Sequence, residues 1–373
     1  MANAELLFYA PAFGQSGYEM ITREILIALD KLGVKIGLIP AWDWNLEKIQ
    51  LSQEYKWRLD RMLKYKVVRG TPCIMHQKYQ PKVVEQLDPS TKLYCYTLFE
   101  TDRCPKNWDF SKFEKIYVFS EWNKKTWLEN NFRWPKRLDT LPFGINKDLF
   151  CPTGASMEVS NDSGYKFITS GDFTERKNFE SLIEAYTTEF RRSEDVCLIM
   201  KVHYGGFTQT HKMNLISRIK ELSYKWNSNP PRILFFGDKI KTEDLPLFYR
   251  GGDCFVLPSH GEGLGMCLQE SMACGLPVIT TGWSAMTDYI LDDVNGLFVD
   301  CKLETIDDIN FIKKCPEALN HKWAVASISD LKKKMRWAFK NRDEAKEIGK
   351  RASESMKNRS WHSAAIKLVG DIL

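Results

Sequence analysis

Several features that assign a protein to a class are missing from this sequence of 373 residues. Its 10 cysteines are scattered singly, without a C-x-x-C pair or the Cys/His spacing of a zinc site, so a reducing compartment is expected. No apolar run reaches the roughly 18 residues that a transmembrane helix needs, and the start lacks the basic and apolar regions of a signal peptide. We therefore expect a cytoplasmic protein, either soluble or bound at the inner face of a membrane.

Repeats of solenoid period and low-complexity tracts are also missing, which excludes the repeat and tail-like classes. What the sequence does contain is 43% hydrophobic and 27% charged residues, the composition of a chain that buries a substantial core. A length of 373 residues exceeds what one core usually organises, so two domains are expected.

Strand-like and helix-like segments alternate along both halves of the chain. In the first half, strands are predicted at 6–9, 34–39, 93–98 and 115–120, with helices at 21–32 and 121–130. In the second half the alternation is continuous from a strand at 166–170 to a strand at 277–281. This pattern predicts an α/β fold of two doubly wound, Rossmann-like domains.

The polar, small-residue segment 151–164 is typical of an interdomain linker. The expected domains are therefore 1–150 and 165–357, facing each other across a cleft. Ligands of open α/β sheets bind beyond the carboxyl ends of the strands, so functional residues are expected in the strand-to-helix loops.

The most informative loop follows the strand that ends at Leu257. Gly261, Gly263 and Gly265 allow the backbone to approach a ligand, and a helix begins near Gly265 with its free N–H groups available to a diphosphate. Glu262 and Glu270 provide two carboxylates, one suited to a sugar ring and the other to ribose hydroxyls. Glu270 could also be a helix-surface acid, but its position between Leu268 and Met272 favours a buried, ligand-facing role.

The stretch Pro258-Ser-His-Gly-Glu-Gly-Leu-Gly265, followed by Glu270-Ser-Met-Ala-Cys-Gly-Leu-Pro-Val278, resembles the signature of the family-four retaining glycosyltransferases. These enzymes are glycosyl transferases of group 1 with the GT-B fold. The segments 118–123, 141–146 and 293–296 also resemble that family. The resemblance implies that a C-terminal helix within 358–373 crosses back onto the first domain.

Site residues follow from the resemblance. It implies that Glu262 contacts the donor sugar, that Glu270 binds the ribose, and that Ile240 lies beside the base. The phosphate and sugar would be bound by the backbone of the second glycine loop, and the first glycine loop would also face the donor. The donor-binding residues are then Gly14, Gly17, Gly171, Ile240, Gly263, Leu264, Gly265 and Glu270.

The segment 170–178 resembles the place where the family carries an arginine and, a few residues on, a lysine. Lys177 aligns with the lysine, but Asp172 occupies the place of the arginine, and we predict that Arg176 replaces it. Cations are unfavourable near a helix N-terminus unless an anion is present, which favours a ligand role over that of ordinary polar residues.

Catalysis by such a site needs no metal and no cofactor. Lys177 and Arg176 would stabilise the charge that grows on the leaving nucleotide diphosphate. The absence of a D-x-D motif agrees with this. The resemblance implies front-face attack, in which the leaving phosphate takes the proton of the acceptor.

The acceptor side offers one candidate, Glu100, at the carboxyl end of a first-domain strand where many relatives carry a histidine. Glu100 either orients the acceptor or donor sugar or pairs with Arg103 as a loop salt bridge, and the sequence favours neither. His203 and His260 are expected to be structural or peripheral. The predicted catalytic set is Glu262, Lys177, Arg176 and Glu100.

The net charge of +5 lies in the first half, where residues 1–148 hold 23 Lys and Arg against 18 Asp and Glu. Two interpretations of this excess stay open: a solvated helix face, or a surface for a phosphorylated or membrane-embedded acceptor. The expected partners are a nucleotide sugar such as a UDP- or GDP-hexose, a glycan or lipid-linked acceptor and a peripheral membrane contact, but no nucleic acid. The cations concentrated in 56–69 are Lys56, Arg58, Arg61, Lys64, Lys66 and Arg69.

The sequence disfavours three other functions. An inverting GT-B transferase predicts a histidine in the first glycine loop, where Phe13 and Gln15 stand instead. A nucleotide-sugar-binding protein without catalysis would tolerate the loss of Lys177 or Glu262, and both are present. A dehydrogenase is disfavoured because the segment 10–17 lacks the dinucleotide fingerprint.

Overall fold

The structure is a computed structural model that describes residues 2–14, 16–41, 51–76, 81–105, 108, 110–130, 137–158, 164–204, 208–237 and 240–373. The chain divides into two compact units. Unit 1 comprises Met1–Phe99, Arg103–Asn146 and Arg359–Leu373, and unit 2 comprises Glu100–Asp102 and Lys147–Asn358. Each unit is built on one six-stranded parallel sheet, as the alternation of strands and helices predicts.

The sheet of unit 1 has the strand order β2-β1-β3-β4-β5-β6. Its strands are β1 (Leu6–Ala10), β2 (Ile36–Pro40), β3 (Cys73–His76), β4 (Leu93–Thr97), β5 (Phe113–Val118) and β6 (Leu138–Thr140). Its helices are α1 (Gly17–Lys31), α2 (Gln53–Met62), α3 (Pro81–Val84), α4 (Glu121–Glu129) and, at the C-terminal end, α12 (Trp361–Ile372).

The helix α12 is part of unit 1 and packs against α1. The Trp361 ring lies 4.9 Å from that of Phe143, measured between centroids. A Cβ atom at Gly144 would lie 2.1 Å from the Trp361 backbone nitrogen, so this approach requires glycine. Asp371 accepts hydrogen bonds from Lys115 at 2.7 Å and from the Tyr117 hydroxyl at 3.0 Å.

Unit 2 contains a sheet of the order β12-β11-β10-β7-β8-β9 and an antiparallel pair, β13 and β14. The strands are β7 (Tyr165–Asp172), β8 (Val196–His203), β9 (Arg232–Phe235), β10 (Cys254–Leu257), β11 (Val278–Thr281), β12 (Leu297–Val299), β13 (Cys301–Thr305) and β14 (Lys322–Ala326). The helices are α5 (Phe179–Glu189), α6 (Gln209–Trp226), α7 (Leu245–Arg250), α8 (Met266–Ala273), α9 (Ile309–Lys314), α10 (Ile328–Lys340) and α11 (Arg342–Met356).

The central strands are buried along their length, because helices cover both faces of a parallel sheet. Every residue of β4 and β10 is buried, and the apolar run of each strand matches that environment. The two sheets are therefore rigid, and the strand-to-helix loops begin at the carboxyl ends of their strands. Within the described ranges, no helix has the length and apolar character required to cross a membrane.

The basic segment 56–69 differs from a continuous helix with free cations. The helix α2 ends at Met62, so three of the six cations of the segment, Lys64, Lys66 and Arg69, follow the helix. Arg58 and Arg61 both pair with Asp30, whose side chain is only 5% exposed. Because their charge is committed to a buried carboxylate, these two arginines are not available to an anionic surface.

The remaining cations of this segment are more exposed. Lys64 pairs with Asp60 of α2, and Arg69 pairs with Asp88 at 2.9 Å. The Lys64 side chain is 64% exposed and the Arg69 side chain 85%. Any surface that binds an anion here must therefore use the lysines and Arg69.

Candidate active site

Two loops at the carboxyl ends of β7 and β10 form the site. The chain leaves β7 through a single turn of 3-10 helix, Glu175–Lys177, and enters α5 at Asn178. Asn178 has φ 54° and ψ 40°, a left-handed conformation that asparagine tolerates better than most residues. Its side-chain amide donates to the Pro258 carbonyl oxygen at 3.0 Å, so the turn after β7 is tied to the loop after β10.

An ionic cluster lies between these loops. The Lys177 ammonium donates to Glu262 Oε1 at 2.7 Å, and Arg176 Nη1 lies 3.1 Å from the same oxygen. Arg176 also donates to the Gly261 carbonyl oxygen at 2.7 Å. Burial alone would raise the pKa of the Glu262 carboxyl, but Lys177 and Arg176 outweigh it and hold that pKa below its ordinary value.

Glu100 completes the cluster and differs in position from what the sequence predicts. It was expected in the first domain, but residues 100–102 belong to unit 2. The reason is local: Glu100 Oε1 lies 3.4 Å from Arg176 Nη2, and Asp102 donates its backbone N–H to the Lys322 carbonyl oxygen at 2.9 Å. A Cβ atom at Gly261 would lie 2.2 Å from the Glu100 carbonyl oxygen, which explains the glycine there.

The structure thus brings the four predicted catalytic residues together in unit 2. Lys177 and Arg176 both contact Glu262 Oε1, and Glu100 contacts Arg176. The Glu262 side chain is only 6% exposed. The cluster holds two cations, Lys177 and Arg176, and two carboxylates, Glu262 and Glu100, so its formal charges balance until an anionic ligand competes for the cations.

The glycine loop continues from Glu262 into α8. Gly265 has φ 73° and begins this helix, and a Cβ atom there would lie 2.5 Å from the Tyr289 hydroxyl oxygen. Leu264 is buried, and its carbonyl oxygen accepts from the Gln269 amide at 2.9 Å. The backbone of 263–265 therefore lies at the N-terminus of a helix, where N–H groups favour an anion.

Glu270 lies inside α8 and is 4% exposed, so it is not a helix-surface acid. The Tyr249 hydroxyl donates to Glu270 Oε2 at 2.8 Å. Burial lowers the pKa of the nearby Lys201 ammonium, and the negative charge of Glu270 opposes that shift. Glu270 thus has its own partners, different from those of Glu262.

The other predicted donor-binding residues of unit 2 lie near the same strand ends. Gly171 has φ 148°, and a Cβ atom there would lie 3.7 Å from Lys177 Cε, so Gly171 adjoins the cluster. Ile240 is half-buried in the loop between β9 and α7.

The first glycine loop belongs to unit 1. The buried Arg23 guanidinium donates to the Gly14 carbonyl oxygen at 2.6 Å and to that of Ala12 at 2.9 Å. Gly17 is the first residue of α1, whose N-terminus is capped by Glu19 accepting from the Ser16 backbone N–H at 2.8 Å. Gln15, which stands in place of a catalytic histidine, lies outside the described residues.

Sequence reasoning missed three supporting residues. Tyr249 orients Glu270, Asn178 ties the two loops, and the Ser284 hydroxyl accepts from the Glu262 backbone N–H at 2.9 Å. Only Asn178 carries a signal in the sequence, because asparagine tolerates a left-handed conformation and favours turns before a helix. The His260 ring stacks on Trp323 at 4.2 Å between centroids.

Within the described part of the chain, no group of three or more His, Cys, Asp or Glu side chains could hold a metal ion.

A family match covers the segment that holds Lys177, Arg176 and Glu262. Residues 157–326 match the family model of the glycosyl transferases group 1. The match is confined to this segment, which lies in unit 2. The resemblance seen in the sequence is thereby confirmed at the level of group 1, and membership of family four stays a prediction.

Curated relatives of the group 1 segment are glycosyltransferases. The chain is 25% identical over 68% of its length to an uncharacterized glycosyltransferase of Methanocaldococcus jannaschii, and it covers 57% of that protein. It is 36% identical over 44% of its length to a D-inositol 3-phosphate glycosyltransferase of Salinispora tropica, of which it covers 36%. The chain therefore spans about half the length, or less, of these relatives.

The solved structure of Anabaena HepE in complex with UDP-glucose is similar over the whole fold. The TM-score is 0.68 at 12% identity, and the match covers 98% of each chain. An identity this low shows the fold alone. The predicted GT-B fold, with two Rossmann-like units, is confirmed.

Proposed function

We propose that this protein is a glycosyltransferase that moves a hexose from a nucleotide-diphosphate sugar to a glycan or lipid-linked acceptor, with retention of anomeric configuration. The observation that carries the proposal is the convergence of Lys177 and Arg176 on Glu262, directly before the glycine loop that begins α8. A role in glycan biosynthesis follows from such an activity.

The donor would bind along the carboxyl ends of the unit 2 strands. The backbone N–H groups of 263–265 and the N-terminus of α8 would bind the diphosphate. Glu270, oriented by Tyr249, would accept hydrogen bonds from the ribose hydroxyls, and Ile240 would contact the base. Because HepE binds UDP-glucose, a UDP-hexose is the first donor to test, with a GDP-hexose next.

Lys177 and Arg176 would stabilise the leaving group. As the bond between the anomeric carbon and the phosphate oxygen breaks, negative charge grows on the nucleotide diphosphate, and preorganised cations lower the barrier. Arg176 supplies the second cation that Asp172 cannot. The acceptor oxygen bonds to the anomeric carbon on the same face, and its proton passes to the leaving phosphate oxygen. No metal ion takes part.

Glu262 would serve in two ways. Its carboxylate holds both cations in place, and it would accept a hydrogen bond from a hydroxyl of the donor sugar. Glu100, through its contact with Arg176, would orient the acceptor or the sugar beside the same cluster.

The acceptor or a membrane would meet the basic segment of unit 1. Exposed apolar side chains accompany its lysines: Trp57 is 57% exposed and Val67 is 55% exposed. Exposed aromatic and basic side chains together are typical of interfacial binding. A cytoplasmic location at the inner face of a membrane is part of this proposal, and it is supported by the 10 cysteines, all of which are free thiols.

The test is a panel of UDP- and GDP-hexoses with the full chain, read by thermal shift and by slow donor hydrolysis. A donor at 100 times its Kd should stabilise the protein by about 2.7 kcal/mol. Lys177→Met should reduce hydrolysis about 100-fold or more. The matched control is Lys350→Met, an exposed lysine whose partner is Glu347.

Each alternative predicts a different outcome. Binding of a nucleotide sugar without hydrolysis or transfer would indicate a binding protein. A product of inverted anomeric configuration, read by proton NMR, would indicate an inverting transferase. Failure to bind any nucleotide sugar would refute the proposal.

A further inference from the structure

A cavity of about 650 Å³ opens in unit 2 outside the ionic cluster. Its walls come from the turn after β7, the first turns of α5 and α6, the start of α9 and the strand β14. Neither Lys177, Glu262 nor Glu270 is among the residues that line it. Its volume falls within the range of roughly 300–1,000 Å³ typical of small-molecule sites.

Rings form much of the wall. The His260 and Trp323 rings stack with an interplanar angle of 16°, and the Phe173 and Phe179 rings stack with centroids 5.4 Å apart. The Trp323 and Phe179 side chains are only 5% and 1% exposed, whereas Tyr204 is 45% exposed and presents the most accessible ring. Aromatic faces carry partial negative charge and attract the partly positive C–H groups of a sugar ring. The ring-bearing side chains are Phe173, Phe179, Tyr204, His211, His260 and Trp323.

The polar groups of the cavity suit hydroxyls and disfavour an anion. Its one guanidinium, Arg218, is paired with Glu180 at 2.7 Å. Glu175 is paired with Lys314 at 3.1 Å, and the Asp308 carboxylate also faces the cavity with one oxygen accepting from the Phe311 backbone N–H. Three acids line the cavity against one guanidinium, and Lys314 at its edge is paired with Glu175, so no excess of positive charge is present to bind a phosphate. Carboxylates and amides, in contrast, bind hydroxyl groups well.

From this combination of rings, amides and carboxylates, we propose that the cavity is a saccharide subsite that binds a neutral oligosaccharide. It is distinct from the site for the nucleotide sugar. It adjoins the catalytic turn, because Glu175 and Asn178, which line it, flank Arg176 and Lys177 in the chain. The His260 backbone N–H also donates to the Arg176 carbonyl oxygen at 2.8 Å.

The test uses the labelled full chain on an array of neutral oligosaccharides, followed by titration calorimetry with each glycan that binds. Tyr204→Ala removes a ring of the cavity without opening a buried core, and it should weaken glycan binding at least 10-fold. Tyr224→Ala is the matched control, since this tyrosine is 53% exposed on the same unit and does not line the cavity. It should bind as the wild type does.

The outcomes separate this inference from the proposed function. No bound glycan, or equal binding by Tyr204→Ala and wild type, would overturn it, and so would a loss of UDP affinity in Tyr204→Ala with glycan binding intact. Glycan binding that survives in Lys177→Met while donor hydrolysis is lost would support a separate subsite. Incubation of a bound glycan with the donor then distinguishes its source: elongation identifies an acceptor chain, and no elongation identifies a glycan that binds without reacting.

Discussion

The carboxylates of Glu262 and Glu270 have different partners, and this difference predicts different roles. Glu270→Ala should weaken UDP binding about 10-fold or more, because hydrogen bonds to a charged group contribute about 1.5–3 kcal/mol. Glu262→Ala should leave UDP affinity within a few fold and lower turnover about 100-fold, because it releases Lys177 and Arg176 from their positions. Calorimetry with UDP and steady-state donor hydrolysis measure the two effects.

Tyr249→Phe is the control for Glu270. It keeps the carboxylate and removes only the hydroxyl that donates to it at 2.8 Å, so we expect a loss of about 5-fold in UDP affinity. Unchanged UDP affinity in Glu270→Ala would contradict the assignment of this residue to the ribose.

A buried histidine of unit 1 predicts sensitivity to acid. His76 is 5% exposed, and neither ring nitrogen has a hydrogen-bond partner among the described residues. Burial lowers its pKa to about 3. Between pH 6.5 and that value the unfolded chain binds a proton that the folded chain does not, so stability falls as the pH falls. The loss from this group should be about 3 kcal/mol by pH 4.

The measurement is the free energy of unfolding of unit 1 from pH 7 to pH 4. His76→Phe should flatten the curve over this range, whereas His362→Gln, at an exposed position of α12, should not. An equal slope in wild type and His76→Phe would show that other groups cause the acid sensitivity.

At the scale of helices and strands, the sequence predicts what local pattern controls. The strand β10, the glycine loop and α8 were predicted because an apolar run, three glycines and a small-residue helix occur in succession. The strands β3 and β6 were not, because runs of four and three residues carry no period of their own and are stabilised by their neighbours in the sheet.

Contacts distant in the sequence lie beyond such prediction. The segment that holds Lys177 and Arg176 could be matched to its family, but their convergence on Glu262 spans 85 positions and depends on how β7 and β10 pair. The hydrogen bond from Tyr249 to Glu270 likewise joins two helices, α7 and α8. The local sequence of neither helix predicts a contact with the other.

The helix α2 illustrates the same limit, and it gives a prediction of its own. Its arginines resemble a free basic face, but the structure pairs Arg58 and Arg61 with Asp30. Replacing both by Gln leaves a buried carboxylate without its cations and should destabilise unit 1 by about 2 kcal/mol. Lys64→Gln removes only an exposed pair and should cost less than about 1 kcal/mol.

Hydrogen exchange of the α1 and α2 peptides measures this difference. Faster exchange in the double variant, with Lys64→Gln close to wild type, is the expected result. Equal protection in both variants would show that Asp30 does not depend on its arginines.

At the scale of the whole molecule, the proposed metal independence of transfer can be tested. Turnover should stay within about 2-fold of its starting value in EDTA, because Arg176 and Lys177 supply the charge that a metal ion would otherwise provide. Donor hydrolysis with and without chelator is the measurement. Complete loss of activity, restored only by an added divalent cation, would refute the prediction.

The location of α12 in unit 1 has a consequence for the order in which the molecule is made. A ribosome releases residues 147–358, the main part of unit 2, before residues 361–372 have been synthesised. Until α12 emerges, α1 lacks the helix that packs against it, and Gly144 lacks its contact with Trp361. Although domains generally fold in the order of synthesis, the half of the protein that is made first is therefore completed last. Nascent chains halted before residue 359 should carry a protease-resistant unit 2 behind a protease-sensitive unit 1.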